Sequence, residues 1–384
     1  MANTVFVGLS GGVDSAVSAA LLKEQGYTVV GAFIKIWQPE FIECTWAQDR
    51  LDAMRVCVTL GIPFREIDLS AEYKKEVVGE MIAAYAAGET PNPDIACNRT
   101  IKFGAFAAWA RAEGADAVAT GHYARIKKGD GKAELLRGID ESKDQSYFLY
   151  QLDGRDLMRI LFPVGGMKKD HVRAHAKRLA LPVAHKADSQ GLCFVGDVSM
   201  RDFLKRFIPV EPGDVVDETG VLIGSHDGAA LYTVGQRHGF TLTVQGPPRY
   251  VTKVDTHANR ITVSADRSHA GKRDRQLRDV HWIGEAPALP TNVSVQARYR
   301  ESPVPARMSL EDGHPRITFE TPHIASAGQS VVFYDGERCL GGAVIAPDPM
   351  KREIAVHSTA TSHSKAVHPA VNGDEVAAAT NDGV

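Results

Sequence analysis

The sequence predicts an α/β chain: an N-terminal parallel-sheet domain, a small helical central region and a C-terminal all-β, barrel-like domain. Three observations lead there. Over roughly the first 120 residues, apolar β-rich runs alternate with helical stretches that stop at glycine. Over residues 151–210 the texture is helical and basic, with 11 Lys and Arg against 6 Asp and Glu. From about residue 211 the chain breaks into short apolar runs separated by turn residues.

In order, Thr4–Leu9 reads as a strand, Asp14–Gln25 as a helix stopped by Gly26, and Tyr27–Ile36 as a second strand. Thr45–Leu60 is helical and stops at Gly61; Pro63–Leu69 is a third strand; Ala71–Ala87 is a third helix closed by Gly88. Arg99–Glu113 reads as a fourth helix and Asp116–Thr120 as a fourth strand. Strands that are apolar throughout, in βαβα order, imply a parallel sheet covered on both faces. In the central region Lys168–Ala180 is a helix with Lys169, Arg173 and Lys177 on one stripe. The β runs after it are Gly220–Ser225, Ala230–Val234, Arg249–Val254, Arg260–Ser264, Asn292–Arg300, Arg316–Glu320 and Gln329–Val344. The last folds at Tyr334-Asp335-Gly336-Glu337, a type I′ hairpin signal. The domains expected are 1–150, 151–210 and 211–348, followed by an aperiodic, disordered tail over 349–384.

The 384 residues are 44% hydrophobic and 24% charged with a formal net charge of −3, which excludes a polycation or a polyacid. No apolar run approaches the ~20 residues of a membrane span. Met1-Ala2-Asn3-Thr4 has no basic leader, so no signal peptide is expected. Five cysteines without a CxxC make neither a disulfide framework nor a zinc knuckle. These features together read as a cytoplasmic protein with no membrane attachment. The basic middle between acidic ends suits a face that meets a polyanion, and equally suits a solvated helix surface.

Ser10-Gly11-Gly12-Val13-Asp14-Ser15 falls between the first strand and the first helix, where backbone N–H groups and a helix N-terminus converge on an anion. It lacks the GK[ST] ending of a P-loop and is not GxGxxG. Cys97 follows a segment stiffened by Pro91 and Pro93; with Asn98 as N-cap it would sit just before a helix N-terminus, where a thiolate is favoured. Asp94, three residues away, could handle a proton. Cys193 lies between Gly191 and Gly196 with Lys186 upstream, an accessible and electropositive setting. On residue type alone, each lone cysteine reads as a small buried hydrophobe. Cys57 and Cys339 read as packing, and Cys44 in its loop is undecided. Lys143-Asp144-Gln145-Ser146-Tyr147 combines a cation, amide donors and an aromatic, as RNA readers do.

Gly8-Leu9-Ser10-Gly11-Gly12-Val13-Asp14-Ser15 resembles the PP-loop of the ATP pyrophosphatase superfamily, whose domain is adenine nucleotide alpha hydrolase-like. Further motifs narrow the likeness: Thr90–Asn98, Ala119–Tyr123, Lys143–Leu149, Asp188–Phe194, Gly235–Arg237, Ala297–Arg300 and Gly328–Ser330. Over residues 4–346 or so, the chain resembles the tRNA-specific 2-thiouridylase (MnmA/TrmU) family. That resemblance implies ATP-dependent 2-thiolation of the wobble uridine of tRNAs of the Lys, Glu and Gln type. The uracil C2 oxygen is adenylated, sulfur arrives from a persulfide, and 2-thiouridine, AMP and pyrophosphate leave.

Residue by residue, the resemblance makes Cys97 the nucleophile, Cys193 the persulfide carrier and Asp94 the acid/base, with a transient Cys97–Cys193 disulfide. ATP would lie on Gly8 to Ser15, Ile34 and Gly121; Ile34 stands where the family more usually has methionine. Asn92, Pro93 and Asp94 would meet the target base, and His122, Lys143, Asp144, Gln145, Arg298, Tyr299 and Gln329 would contact tRNA. Each of those contacts has a plain alternative, such as Tyr299 in the core. Mg²⁺ is implied by the triphosphate. A cysteine desulfurase or a sulfur-relay protein is the implied partner. An iron–sulfur cluster on Cys97, Cys193 and a third ligand is the less favoured reading, because the spacing matches no ferredoxin run.

Overall fold

Successive residues of the first strand feed two different cores. In β1 (Thr4–Gly8), Val5 and Val7 join one apolar cluster and Phe6 joins another. Side chains alternate across a strand, so a run apolar throughout is what a sheet covered on both faces requires. Each such side chain contributes about 1.5–3 kcal/mol on full burial. The structure, a computed structural model, describes residues 3–42, 46–129, 131–188 and 198–348. Cys44, Cys193 and the 349–384 tail therefore lie outside the described residues.

The first sheet is parallel, in the order β3 (Phe64–Asp68), β2 (Thr28–Lys35), β1, β4 (Ala117–Ala119), β7 (Ile160–Leu161). On one face lie the helices Val13–Glu24, Trp46–Leu60 and Lys169–Arg178, which bury Val17, Val56 and Val172. On the other lie two composite helices. One runs Ser70–Tyr73, a π segment Lys74–Gly79, then Glu80–Ala86. The second runs Pro93–Ala96, a π segment Cys97–Ala105, then Phe106–Ala112.

Two expectations are corrected here. The sheet does not end by residue 150, because β7 pairs with β4 from within the segment expected to be helical; the two-residue strand is too short to carry a periodic signal. The expected all-β, barrel-like C-terminal part is present and is built as two sheets. The first contains β8 (Gly213–Val216), β9 (Leu222–His226), β10 (Phe240–Leu242), β11 (Tyr250–Asp255) and β12 (Arg260–Ser264), in the order β10-β9-β8-β12-β11. The run Ala230–Val234 is no strand: Ala229–Leu231 is a 3₁₀ turn after Gly228, whose N–H is held by His226 Nδ1.

The second is a closed barrel of β13 (Lys272–Trp282), β14 (Thr291–Gln296), β15 (Val304–Glu311), β16 (His314–His323), β17 (Ser330–Asp335) and β18 (Arg338–Ile345), with β13 pairing β18 to shut it. Its interior takes every second residue: Val293 and Val295, Met308, Ile317 and Phe319, Val331 and Phe333, Ala343 and Ile345. The intervening Val332 and Tyr334 point outward and join the core shared with Tyr147 and Tyr150. The expected turn at Gly336 is present, with φ +57. A hairpin from the N-terminal part, β5 (Ala124–Gly129) and β6 (Lys132–Arg137), extends the barrel sheet through β6–β18 pairing.

Candidate active site

The strand order 3-2-1-4 places the reversal of strand order between β1 and β4. Ligands of such sheets bind beyond the strands' carboxyl ends at that switch. Two loops meet there: residues 9–12 after β1, and Thr120–His122 after β4. Gly11 has φ +72, and a Cβ on it would lie 2.6 Å from the Asp49 carbonyl oxygen, so only glycine fits. Gly121 packs on the first turn of the Val13–Glu24 helix; a Cβ there would lie 2.6 Å from the Ser15 nitrogen. The Ser10 N–H donates to Ser15 Oγ (3.2 Å), and Ser15 Oγ donates to the Gly12 carbonyl (3.2 Å). No side chain caps this helix at Gly12, so its leading N–H groups face the loop for an anion. Leu9 and Val13 are buried beneath it, and Ile34 stands beside Gly8.

A charge network adjoins the loop. Asp14, in the helix's first turn, accepts from the Tyr123 hydroxyl (2.7 Å) and from Lys169 Nζ (2.7 and 2.8 Å). Lys169 Nζ also reaches Asp188 at 2.9 Å, and Asp188 takes Lys143 (2.7 Å) and Arg173 (2.6 Å) besides. Burial works against the charge on Asp188, but the hydrogen bonds from Lys143 and Lys169 outweigh it and hold this carboxyl at about 2. Two of the three cations on the expected basic stripe thus bind inward; Lys177 alone is exposed. Lys186 is likewise spoken for, by Asp49 (2.7 Å) and Asp52 (2.8 Å), so its charge is neutralised rather than offered to a neighbour.

Cys97 departs from its expected position. The helix begins four residues earlier, with Pro93 at its first position and Asn92 Oδ1 accepting from the Asp94 N–H at 3.1 Å. Proline needs no N–H partner there, and asparagine is a favoured cap. Cys97 is therefore buried at the head of the π segment, not before a helix start. π turns recur at functional sites. Asn98 is no cap: its side chain donates to the Phe148 carbonyl at 3.0 Å. Burial raises the Asp94 pKa, with Lys102 partly opposing. Burial, seconded by the same Lys102, drives His122 well below its usual range, so its imidazole is neutral and shares Nδ1 with Thr120 Oγ1 (2.7 Å). Lys102, on the cysteine helix itself, is charged near both groups. Phe103, its neighbour, stacks on His122 at 5.9 Å.

The remaining expected contact residues divide into two groups. Asp144 is buried and accepts inward, from Arg137 (2.9 Å), the Gly138 N–H (2.9 Å) and Ser146 Oγ (3.0 Å). As placed, it holds its loop together. Gln145, half-buried, binds the Tyr123 N–H through Oε1 at 3.0 Å. Tyr299 packs on Phe148 at 4.5 Å, and Arg298 donates to the Val234 carbonyl (3.2 Å). Gln329 Oε1 accepts from the Ser326 N–H (3.3 Å), in a loop whose Ala327 carbonyl takes the Thr90 N–H (2.8 Å). The barrel rim, the 143–149 segment and the Thr90–Asn98 segment therefore share one face. Sequence reading missed Lys102 and the capping role of Asn92. For the second, Asn-Pro-Asp was the available signal.

Burial pushes the Cys57 thiol up to about 11 and the Cys339 thiol to about 12, as packing cysteines require. Among the described residues, no three His, Cys, Asp or Glu side chains gather to hold a metal. No helix among them is long and apolar enough to cross a membrane. A cavity of about 1090 Å³ lies along the barrel by Trp282 and Arg307, away from the switch point.

Three family profiles match in succession: a tRNA methyl transferase HUP domain over residues 3–197, a tRNA methyl transferase PRC-barrel domain over 201–265, and an aminomethyltransferase beta-barrel domain over 273–345. Curated relatives include a tRNA-specific 2-thiouridylase MnmA of Francisella philomiragia, 42% identical over 89% of this chain and 99% of its own. Those of Pseudomonas fluorescens (44%; 89% and 93%) and Ralstonia pickettii (43%; 92% and 98%) carry the same name. With this identity along nearly the whole length of its relatives, the chain belongs to the tRNA-specific 2-thiouridylase MnmA family.

Proposed function

We propose that this chain converts the wobble uridine of tRNA to 2-thiouridine at the expense of ATP. One observation supports the reading: Gly121 packs on the first turn of the loop's helix, and its neighbour His122 stacks on Phe103 of the helix that carries Cys97. A carbonyl oxygen is a poor leaving group, so the uracil C2 oxygen is first adenylated. It attacks the α-phosphate, pyrophosphate leaves, and the C2–O bond then breaks with AMP as leaving group. The 10–15 loop binds the polyphosphate. Mg²⁺ would come with the triphosphate, whose oxygens and water can supply most of its ligands, so few protein carboxylates are needed.

Sulfur is carried as a persulfide on Cys193, outside the described residues. Its terminal sulfur bonds to C2 as AMP departs. Cys97 then attacks the remaining Cys193 sulfur, which releases the thiocarbonyl and leaves a Cys97–Cys193 disulfide. The two thiols supply the two electrons that turn sulfane sulfur into the thiocarbonyl, and an external dithiol restores them. Asp94, its pKa raised by burial, is suited to move the proton of the nucleophile. Asn92 and Pro93 flank the base; Lys143, Gln145, His122, Arg298, Tyr299 and Gln329 are assigned to tRNA. A cysteine desulfurase, directly or through a relay protein, loads Cys193 in the cytoplasm, and tRNAs for Lys, Glu and Gln are the substrates.

The test is thiolation of an unmodified tRNA transcript with MgATP, cysteine and a desulfurase, read as retardation on a mercury-containing gel. An ATP-dependent shift is expected, and Cys97→Ala and Cys193→Ala should each abolish it while tRNA affinity stays within about threefold. Full thiolation by either variant would sink the mechanism. AMP release without thiolation would place the error in the sulfur donor.

A further inference from the structure

Lys169 pairs with Asp14 in the first turn of the anion-binding loop's own helix, and its arrangement is unusual. It opens the Lys169–Arg178 helix, its backbone N–H fixed by Asp140 (2.9 Å). Its side chain is 12% exposed, and its ammonium is divided between two carboxylates, Asp14 on the loop side and Asp188 behind. Asp14 needs this cation. A carboxylate in the first turn beside a polyphosphate would repel it, and the ammonium cancels that charge. Asp188 does not need it. With Lys143 at 2.7 Å and Arg173 at 2.6 Å, it stays doubly paired if Lys169 leaves. The cost of withdrawing Lys169 from Asp188 is therefore small, since no buried charge is stranded.

We propose that Lys169 is a polyphosphate-binding residue of the ATP site, with Asp188 as its resting counter-ion in the nucleotide-free protein. On binding, the ammonium keeps its contact with Asp14 and exchanges Asp188 for a phosphate oxygen. Lys143 and Arg173 hold Asp188 in place meanwhile. This rests on the ATP reading above and assigns it a side chain from a helix remote in sequence from the loop.

The two carboxylate partners make opposite predictions, which separates ligand binding from a merely structural bridge. Calorimetric titrations would use MgATP, magnesium pyrophosphate and AMP against wild type, Lys169→Gln, Lys169→Arg and Asp188→Asn, with circular dichroism confirming folding. Lys169→Gln should weaken MgATP and pyrophosphate at least tenfold yet leave AMP within twofold. Lys169→Arg should restore most of the loss. Asp188→Asn should bind MgATP as tightly as wild type or several-fold tighter, because the resting competitor is gone. Equal weakening by Lys169→Gln and Asp188→Asn overturns the proposal, as does unchanged binding in Lys169→Gln. Lys169→Met, which keeps the aliphatic stem, replaces the glutamine variant should that one not fold. The Asp188→Asn titration also decides alone, since a tenfold loss there is incompatible with a resting counter-ion. Wild type that binds neither MgATP nor pyrophosphate would refute the ATP reading itself.

Discussion

At the scale of single residues, two glycines and one aspartate set the site's geometry. Gly121→Ala puts a methyl against the Ser15 backbone, where nothing can give, and should cost about 1–3 kcal/mol with at least tenfold weaker ATP binding. Urea unfolding and nucleotide titration check both halves. Asp188 carries a pH signature. Its carboxyl titrates lower in the folded chain, at about 2, than in the unfolded one, so its contribution is fully present above about pH 4. It fades as pH falls toward 2. The stability advantage of wild type over Asp188→Asn should shrink by about 2 kcal/mol between pH 5 and pH 2. A difference that stays constant across that range would contradict the assignment. The loop residues 10–15 were legible in the sequence because backbone chemistry makes their spacing specific. The pairing of Lys143 with Asp188, of Lys169 with Asp14 and of Lys186 with Asp49 was not, because ion pairs more than 40 residues apart leave no local pattern.

At the scale of elements, the helix carrying Cys97 teaches the most. Its real start was written in Asn92 and Pro93, yet two prolines read more readily as an extended loop than as cap and first position. Asn92→Ala should cost about 1 kcal/mol of stability through the lost cap. Asn92→Ser, which still caps, should recover stability in urea unfolding. Restored stability with persistent loss of thiolation would mark Asn92 as a base contact as well. The apolar strands of the first sheet and the glycine-stopped ends of its helices were found to within a residue or two, while the start of the Cys97 helix was placed six residues late. The β5–β6 hairpin, β13 and β15 escaped, because polar and charged residues fill much of their outward faces and hide the alternation.

At the scale of the whole molecule, the barrel and the N-terminal part share a core rather than a linker. Tyr147 donates to the Ser330 carbonyl (3.0 Å), Ser146 and Tyr334 hydroxyls meet at 3.0 Å, and Arg137 lies 3.5 Å over the Tyr334 ring while paired to Asp144. Arg137→Ala should strand the buried Asp144 and cost about 3–5 kcal/mol. Calorimetry should register it as a lower midpoint of a single transition, since both parts lose the same contact. Two separately shifted transitions would show that the core is not shared. No reading of local pattern could show that one face of β17 closes the N-terminal core, because the barrel's own alternation already accounts for its sequence.

The β5–β6 hairpin has a further consequence, for the chain as it is made. Glu134 on β6 meets Arg338 on β18 across 204 residues of sequence. At about 5–20 residues per second, the ribosome delivers that partner about 10–40 s after the hairpin emerges. Through that interval the hairpin waits with an open edge, and such edges recruit other chains. Heterologous expression should therefore yield more soluble protein when elongation over residues 138–337 is fast, or when a chaperone that shields nascent strands is abundant.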